Sequence, residues 1–334
     1  MDPKELFLGN KENLLRQFVG IYILAHYRNR PNDILLLADA PHHEAWALML
    51  KNSKKIVNAI QLAREGGLSD KTIKKMLEGY EPRGNIIPDV LTKHFRDDEF
   101  AKLRGGRIVR IATHPSVMGR GLGSVALQLL EESLKERNLD WVGASFGATY
   151  ELLKFWIKND FLPVHISPGR NPSTGEYSTI VLYPLSKKAY EYIKGFRLIF
   201  KIKFLDLLHY LYRDIEPNLA RLFLISKKYE ENKEISIDNV DLKRIHAFCR
   251  GKMTFEPTYD ALLRMTKRYF LLSENVKANI GLSPDEEELL IAAILQARSI
   301  KKVCELFFLD QKEVLKRLRR IFRKLLSFVE GSTE

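Results

Sequence analysis

Cysteine is nearly missing from this sequence: Cys249 and Cys304 are the only two in 334 residues. Two thiols cannot build a disulfide framework, and their spacing fits no zinc-ligand pattern. The chain therefore reads as a protein of a reducing compartment, with both thiols as small buried hydrophobes. No run of eighteen apolar residues occurs, so no segment has the composition of a membrane-spanning helix. The opening MDPKELFLGNKENLLRQF lacks the apolar core of a signal peptide, and the expectation is a cytoplasmic protein with no membrane partner. Low-complexity tracts and repeats at solenoid periods are also missing, as is the G-x-x-x-x-G-K-S/T loop that would hold a nucleoside triphosphate.

What is present is a globular composition, 45% hydrophobic and 29% charged, in a chain long enough for two domains. Net charge is +12, a balance that points to a polyanionic partner without proving one. The excess is unevenly spread. Up to Ser186 there are 25 basic and 21 acidic residues, and beyond it 29 and 21.

Hydrophobic spacing predicts an amphipathic helix over 10–27, a short helix over 31–37, and a hairpin from EAWALML and KIVNAIQLARE around Lys51, Asn52 and Ser53. Helices over 71–78 and 87–95 follow. RIVRIAT reads as a strand, VALQLLEESLKE as a helix with Val125, Leu127, Leu129, Leu130 and Leu134 inward, and DWVGASF as a strand. ATYELLKFWIKND then reads as a helix, and FLPVHIS and YSTIVLYPL as strands. Alternation of this kind predicts a mixed α/β layer. From Lys187 onward the patterns are helical, broken at Pro217, Gly251, Pro257 and Pro284, and the domain boundary is set near Ser186. The domains are then 1–186, a mixed sheet flanked by helices, and 187–334, mainly α-helical and basic.

The stretch MGRGLGS, Met118 to Ser124, lies between a strand and a helix. Backbone N–H groups and the helix dipole converge at such a junction and favour an anion, and glycine lets the backbone come close. A plain turn is the alternative reading. Walker and dinucleotide patterns both fail, for want of a Lys-Ser/Thr pair and of a third glycine with a downstream acid. His42 and His43 in PHH lack a third ligand, so this stretch is read as a loop and no metal is expected.

RIVRIATHPSVMGRGLGS resembles the coenzyme-binding motif of the GNAT acetyltransferases, with Met118 where that motif has Arg or Gln. The runs AHYRNRPNDILLLADAPHH, RGNIIPDVLTKHFRD, GASFGATYELLKFWIKNDF and PVHISPGRNPSTGEYSTIVLYPLS are similar to the acetyltransferase domain of the RNA cytidine acetyltransferases, over roughly residues 10–186. The tail resembles that family's C-terminal region more loosely. The resemblance implies a GNAT-type sheet and an acetyl-CoA-dependent N4-acetylation of cytidine in tRNA-like RNA. It also implies a coenzyme site from the backbone of Ile111, Ala112 and Thr113, the loop residues Met118, Gly119, Arg120, Gly121, Leu122, Gly123 and Ser124, and the helix residues Glu151 and Lys158. For the last two a surface ion pair is the alternative.

The cytidine amine is conjugated with its ring and needs a base as it attacks. The resemblance points to His26 as that base and Tyr27 as donor or positioning group, with His114 as rival base or as a residue shaping the turn. Family members carry an N-terminal module and a helicase module ahead of this region. With no Walker loop here, any ATP-driven step is expected from another chain, a separate helicase being the possible partner. A GNAT enzyme acting on a protein amine and a non-catalytic RNA-binding chain remain open beside this reading.

Residues 282–326 have the cadence of a helix-turn-helix, one helix starting at Ser283 and Pro284, SIKKVCELF giving a second and QKEVLKRLRRIFRKLL a third, with Phe307, Phe308, Leu309 and Asp310 where a turn glycine is common. Val314, Leu315, Leu318, Ile321, Phe322 and Leu325 are expected inward. Lys316, Arg317, Arg319, Arg320, Arg323 and Lys324 are expected largely outward, as an RNA-phosphate face or a merely solvated one.

Overall fold

The structure, a computed structural model, describes residues 6–7, 11–25, 37–225 and 235–331. Its backbone divides into two compact units that interleave along the sequence. One comprises Met1–Gly147, Phe161–Ile166 and Ser178–Phe196, the other Ala148–Asp160, Ser167–Tyr177 and Arg197–Glu334.

The sheet has six strands: β1 (His43–Met49), β2 (Ile56–Gly66), β3 (Arg104–Thr113), β4 (Trp141–Gly147), β5 (Leu162–Arg170) and β6 (Tyr177–Pro184), in the order β1-β2-β3-β4-β6-β5. All pairs whose register is defined are antiparallel except β3–β4, so the sheet is mixed as expected. β2, with apolar residues at both alternating positions, is buried on both faces over most of its length.

Pro41 and His42 lie in a turn, as read, and the loop reading is corrected for His43 alone. His43 opens β1, is buried, and lies with Nδ1 2.7 Å from the Gln61 amide. Burial, with His42 and Arg107 nearby, pushes its pKa down to about 4, so this ring is a neutral core partner at physiological pH.

Helix α1 (Glu12–Ala25) repeats Phe18, Ile21 and Tyr22 at helical spacing and lays them on Ala45, Ala59 and Ala112. Those alanines leave the room that three large side chains need. Helices α2 (Asp70–Leu77) and α3 (Ile86–Phe95) follow β2. Glu65, fully buried at the end of β2, accepts the Ile87 N–H at 2.9 Å in the first turn of α3 and meets Arg107 at 2.5 Å. Burial pushes its carboxyl pKa up, with Arg107 opposing.

Helix α4 (Leu122–Glu136) buries Ala126, Leu127, Leu130 and Leu134, while Val125 and Leu129 stand about half exposed. Of the apolar positions read from the spacing, Leu127, Leu130 and Leu134 are buried and Val125 and Leu129 are not, while Ala126 is buried in addition. A groove beside Leu129 is lined by Trp46, Leu48 and Ile60.

The second unit holds α5 (Tyr150–Lys158) and, from Arg197 on, the C-terminal helices. Helix α6 (Lys187–Leu207) is followed by α7 (Pro217–Leu224), α8 (Asn239–Cys249), α9 (Tyr259–Phe270) and α10 (Glu274–Ile280). Next come α11 (Pro284–Leu290), α12 (Ile300–Phe307) and α13 (Gln311–Gly331). Pro217 and Pro284 stand in the first turns of their helices, the place where a missing N–H costs nothing. Ser283 and Glu286 form a capping box on α11. Cys249 is buried, as read from the sequence, whereas Cys304 is only partly so.

Candidate functional site

Strands β3 and β4 run side by side only briefly. Their parallel ladder joins Gly105 to Trp141, Gly106 to Val142, Arg107 to Gly143 and Ile108 to Ala144, and there it ends. On its other edge β3 stays paired with β2 as far as Thr113, with one register shift that leaves Val109 as an extra residue between Ile108 and Arg110. A bulge of this kind adds twist and bends its strand, and it falls where β3 and β4 cease to pair. The end of β3 thereby keeps an edge outside the ladder.

Hydrogen bonding along an antiparallel pair alternates, so neighbouring residues turn their N–H and C=O to opposite edges. The His114 N–H bonds to Val57 C=O at 2.9 Å, which turns Ala112 toward β2 as well. Ile111 and Thr113 then present N–H and C=O to the β4 side. Of the three residues expected to offer backbone to a ligand, the alternation selects Ile111 and Thr113; Ala112 instead packs its methyl on α1.

His114 starts the next turn. Its Nδ1 accepts from the Ser116 N–H at 3.3 Å and lies 2.8 Å from the Ser116 hydroxyl, capping a short 3-10 turn over Pro115–Val117. With Nδ1 as acceptor, the neutral ring carries its proton on Nε2, which makes the exposed nitrogen a donor. Met118 closes the turn, bonding its N–H to Pro115 C=O at 3.3 Å, and its side chain is 58% exposed. It was counted among the backbone donors of the loop; its N–H is already used.

The donors begin one residue later. Gly119 and Gly121 have φ of +76° and +78°, and a Cβ on either would meet nothing within 4 Å. These glycines are needed for their left-handed backbone, not for space. Left-handed Gly121 runs straight into the right-handed first turn of α4, and such a junction curls successive N–H groups toward one side, the geometry of an anion nest. Gly121 is also the N-cap of α4, and the first bond of that helix is Val125 N–H to Gly121 C=O, 3.1 Å. From Gly119 through Arg120, Gly121, Leu122 and Gly123 to Ser124, no backbone N–H is bonded to a backbone carbonyl among the described residues. The first turn of α4 carries no acidic residue, so nothing there competes with a bound anion.

Residues 17–138 and 131–186 match the family model of GNAT acetyltransferase 2. The chain belongs to that family. It is 45% identical over 335 residues to the tRNA(Met) cytidine acetyltransferase of Thermococcus kodakarensis, a match covering 98% of this chain and 41% of that protein. It is 47% identical over 336 residues to the tRNA(Met) cytidine acetyltransferase of Thermofilum pendens, covering 100% of this chain and 41% of that one. The chain spans about two-fifths of the length of the curated relatives it matches.

The GNAT acetyltransferase 2 match covers all six strands, including the parted β3–β4 pair and the loop of unbonded N–H groups that follows it. Glu151 and Lys158 occupy the first and last turns of α5, both exposed and neither in an ion pair among the described residues. His26 and Tyr27, with the short helix expected over 31–37 up to residue 36, lie outside the described residues. No helix among the described residues is long and apolar enough to cross a membrane.

On α13 the inward set is Val314, Leu318, Ile321, Phe322, Leu325 and Leu326. Leu315 is only partly covered, and Leu326 went unread. The six basic residues all have partners within the unit. Lys316 and Arg317 reach Glu313 at 3.5 and 3.1 Å, and Arg320 and Lys324 reach Glu286 at 3.2 and 2.8 Å. Arg323 donates to Cys249 C=O at 2.8 Å, and Arg319 stacks its guanidinium 5.5 Å from the Phe248 ring centre. None of the six is buried; four of them also reach neighbouring helices, Arg319 and Arg323 meeting α8, and Arg320 and Lys324 the capping box of α11. Glu286 and Phe248 lie far off in sequence, and helical spacing carries no signal for such partners.

Proposed function

We propose that this chain is an acetyl-CoA-dependent RNA cytidine N4-acetyltransferase acting on tRNA-like RNA in the cytoplasm. Residues 1–186 form the transferase domain and 187–334 the RNA-gripping tail. The observation that carries the reading is the run of six unbonded N–H groups from Gly119 to Ser124 beyond the point where β3 and β4 part. It supports a pyrophosphate at the head of α4, with the backbone of Ile111 and Thr113 receiving the amides of the pantetheine arm as another strand would. Bound there, acetyl-CoA supplies the acetyl group as an activated thioester. Glu151 and Lys158 complete the coenzyme side.

His26 takes the proton of the cytidine amine as it attacks, and Tyr27 donates or positions. His114 shapes the turn. The six basic residues of α13, Lys316, Arg317, Arg319, Arg320, Arg323 and Lys324, meet RNA phosphates by exchanging their present partners, led by Lys316 and Arg320, whose side chains are the more open of the ion-paired ones. The target base must be unpaired or flipped, because N4 lies inside a Watson–Crick pair; a separate helicase chain is the candidate helper.

The test is direct. The protein is incubated with labelled acetyl-CoA and bulk tRNA, with and without ATP, and the RNA is digested to nucleosides. N4-acetylcytidine is the expected product; label on protein alone would replace this reading with transfer to a protein amine.

The cradle makes its own prediction. Gly121→Ala places a Cβ residue at φ +78°, a conformation that costs about 1–2 kcal/mol outside glycine. Acetyl-CoA affinity should drop roughly 5- to 30-fold by calorimetry, with Gly121→Asn milder because Asn tolerates the left-handed region. Equal affinity for all three proteins would remove this turn from the coenzyme site.

A further inference from the structure

Phe308 follows α12 at φ +53°, ψ +43°, and its N–H and that of Leu309 both return to Cys304 C=O, the latter at 3.1 Å. This is the left-handed residue that ends a helix, a place where glycine is the usual occupant and a side chain carries strain. The other non-glycine residues with positive φ are Lys54, Arg96, Asn138, Asp160 and Ala297, all polar or small. Phe308 is the aromatic exception, and its side chain is 95% exposed. Neither backbone nor packing asks for phenylalanine here; glycine would serve the fold better.

The surroundings carry both signs with a small basic excess, four lysines against Glu305, Asp310 and Glu313. Lys301 and Lys302 stand in the first turn of α12, and Lys312 and Lys316 in the first two turns of α13, all exposed. Lys301 and Lys312 meet no carboxylate among the described residues, while Lys302 and Lys316 are held by Glu305 and Glu313 on the surface. An almost fully exposed flat ring at a helix-turn-helix corner whose two helices carry lysines unpaired among the described residues, Lys301 and Lys312, matches a ligand that offers a π-face beside phosphates. An unpaired nucleobase has both; bases within a duplex are already stacked.

We infer that Phe308 is a stacking platform for an unpaired RNA base, held out from the turn by its left-handed backbone. The inference rests on RNA as the acceptor and adds the mode of recognition.

The test uses the full chain and fluorescence anisotropy with a labelled RNA stem-loop and with a blunt duplex of the same stem. Phe308→Gly should bind the stem-loop about 5- to 100-fold more weakly, the range of one lost base–aromatic stack. Duplex affinity and the salt slope should stay unchanged, since no phosphate contact is removed. Its Tm should equal or exceed the wild-type value, and Phe308→Trp should restore stem-loop binding.

Stem-loop affinity within twofold of wild type, an equal loss on both RNAs, or a Tm well below wild type would each overturn the proposal. In the first case N4-acetylcytidine formation by the wild-type chain would leave the acetyltransferase reading standing. A wild-type chain that binds neither RNA and forms no N4-acetylcytidine would remove both.

Discussion

Gly105→Val is expected to unfold the first unit at ordinary temperatures, and Gly105→Ala to lower its Tm by roughly 10 °C. Gly105 faces Trp141 across the first rung of the parallel ladder, and a Cβ built on it would lie 2.1 Å from two atoms of the indole. Trp141 is fully buried and stacks on Phe100 with ring centres 5.5 Å apart. The indole therefore cannot step aside without leaving the core. Overpacking costs about 1–3 kcal/mol where a core can adjust, and loss of a buried Trp about 3–5 kcal/mol where it cannot. Either is a large part of the ~5–15 kcal/mol that holds a domain folded. Thermal melting by circular dichroism measures the effect.

The attribution has an internal control. Trp141→Ala removes the obstacle, so Gly105→Ala added to it should cost far less than Gly105→Ala alone, a non-additivity expected only between residues in contact. Additive losses would show that Gly105 answers to something other than Trp141. Acetyl-CoA affinity should fall along with stability, because this rung opens the short ladder whose far end, at Ile108 and Ala144, is where β3 and β4 part.

Element order was legible in the sequence because each element repeats its apolar residues at its own period. β2 is a long hydrophobic run, α1 sets Phe18, Ile21 and Tyr22 on one face, and proline marks the starts of α7 and α11. What escaped lies in relations between distant residues. Nothing in RIVRIAT announces that Val109 is the extra residue of a bulge, since a bulge is defined by the partner strand and β2 lies some fifty residues upstream. Nor does MGRGLGS reveal that Met118 has spent its N–H on Pro115. His43 looked like a loop residue because Pro and two histidines are poor strand formers; burial beside Gln61 overrides that local preference. The polar face of α13 was readable from spacing, but its engagement by Glu286, Cys249 and Phe248 was not.

The largest expected effect on catalysis falls on His26. His26→Ala should lower turnover about 10²- to 10⁴-fold, the usual contribution of a positioned general base, while acetyl-CoA affinity by calorimetry stays at the wild-type value. The amine of cytidine donates its lone pair into the ring, so the nitrogen becomes markedly acidic only as it bonds to the acetyl carbon. A base titrating near neutrality meets that demand. His114→Ala should behave in the opposite way. Its Nδ1 already accepts from Ser116, and the neutral ring then offers Nε2–H, which cannot take a proton. Losing it loosens the turn that precedes Gly119, so the effect should appear in KM for acetyl-CoA and leave kcat within about fivefold, since no acid–base step is removed. The pH profile separates the two: kcat of the wild type should rise with pH through one ionisation, and that ionisation should persist in His114→Ala and vanish in His26→Ala. A profile lost in His114→Ala and retained in His26→Ala would move the base to His114 and require the ring to release Ser116 before each turnover.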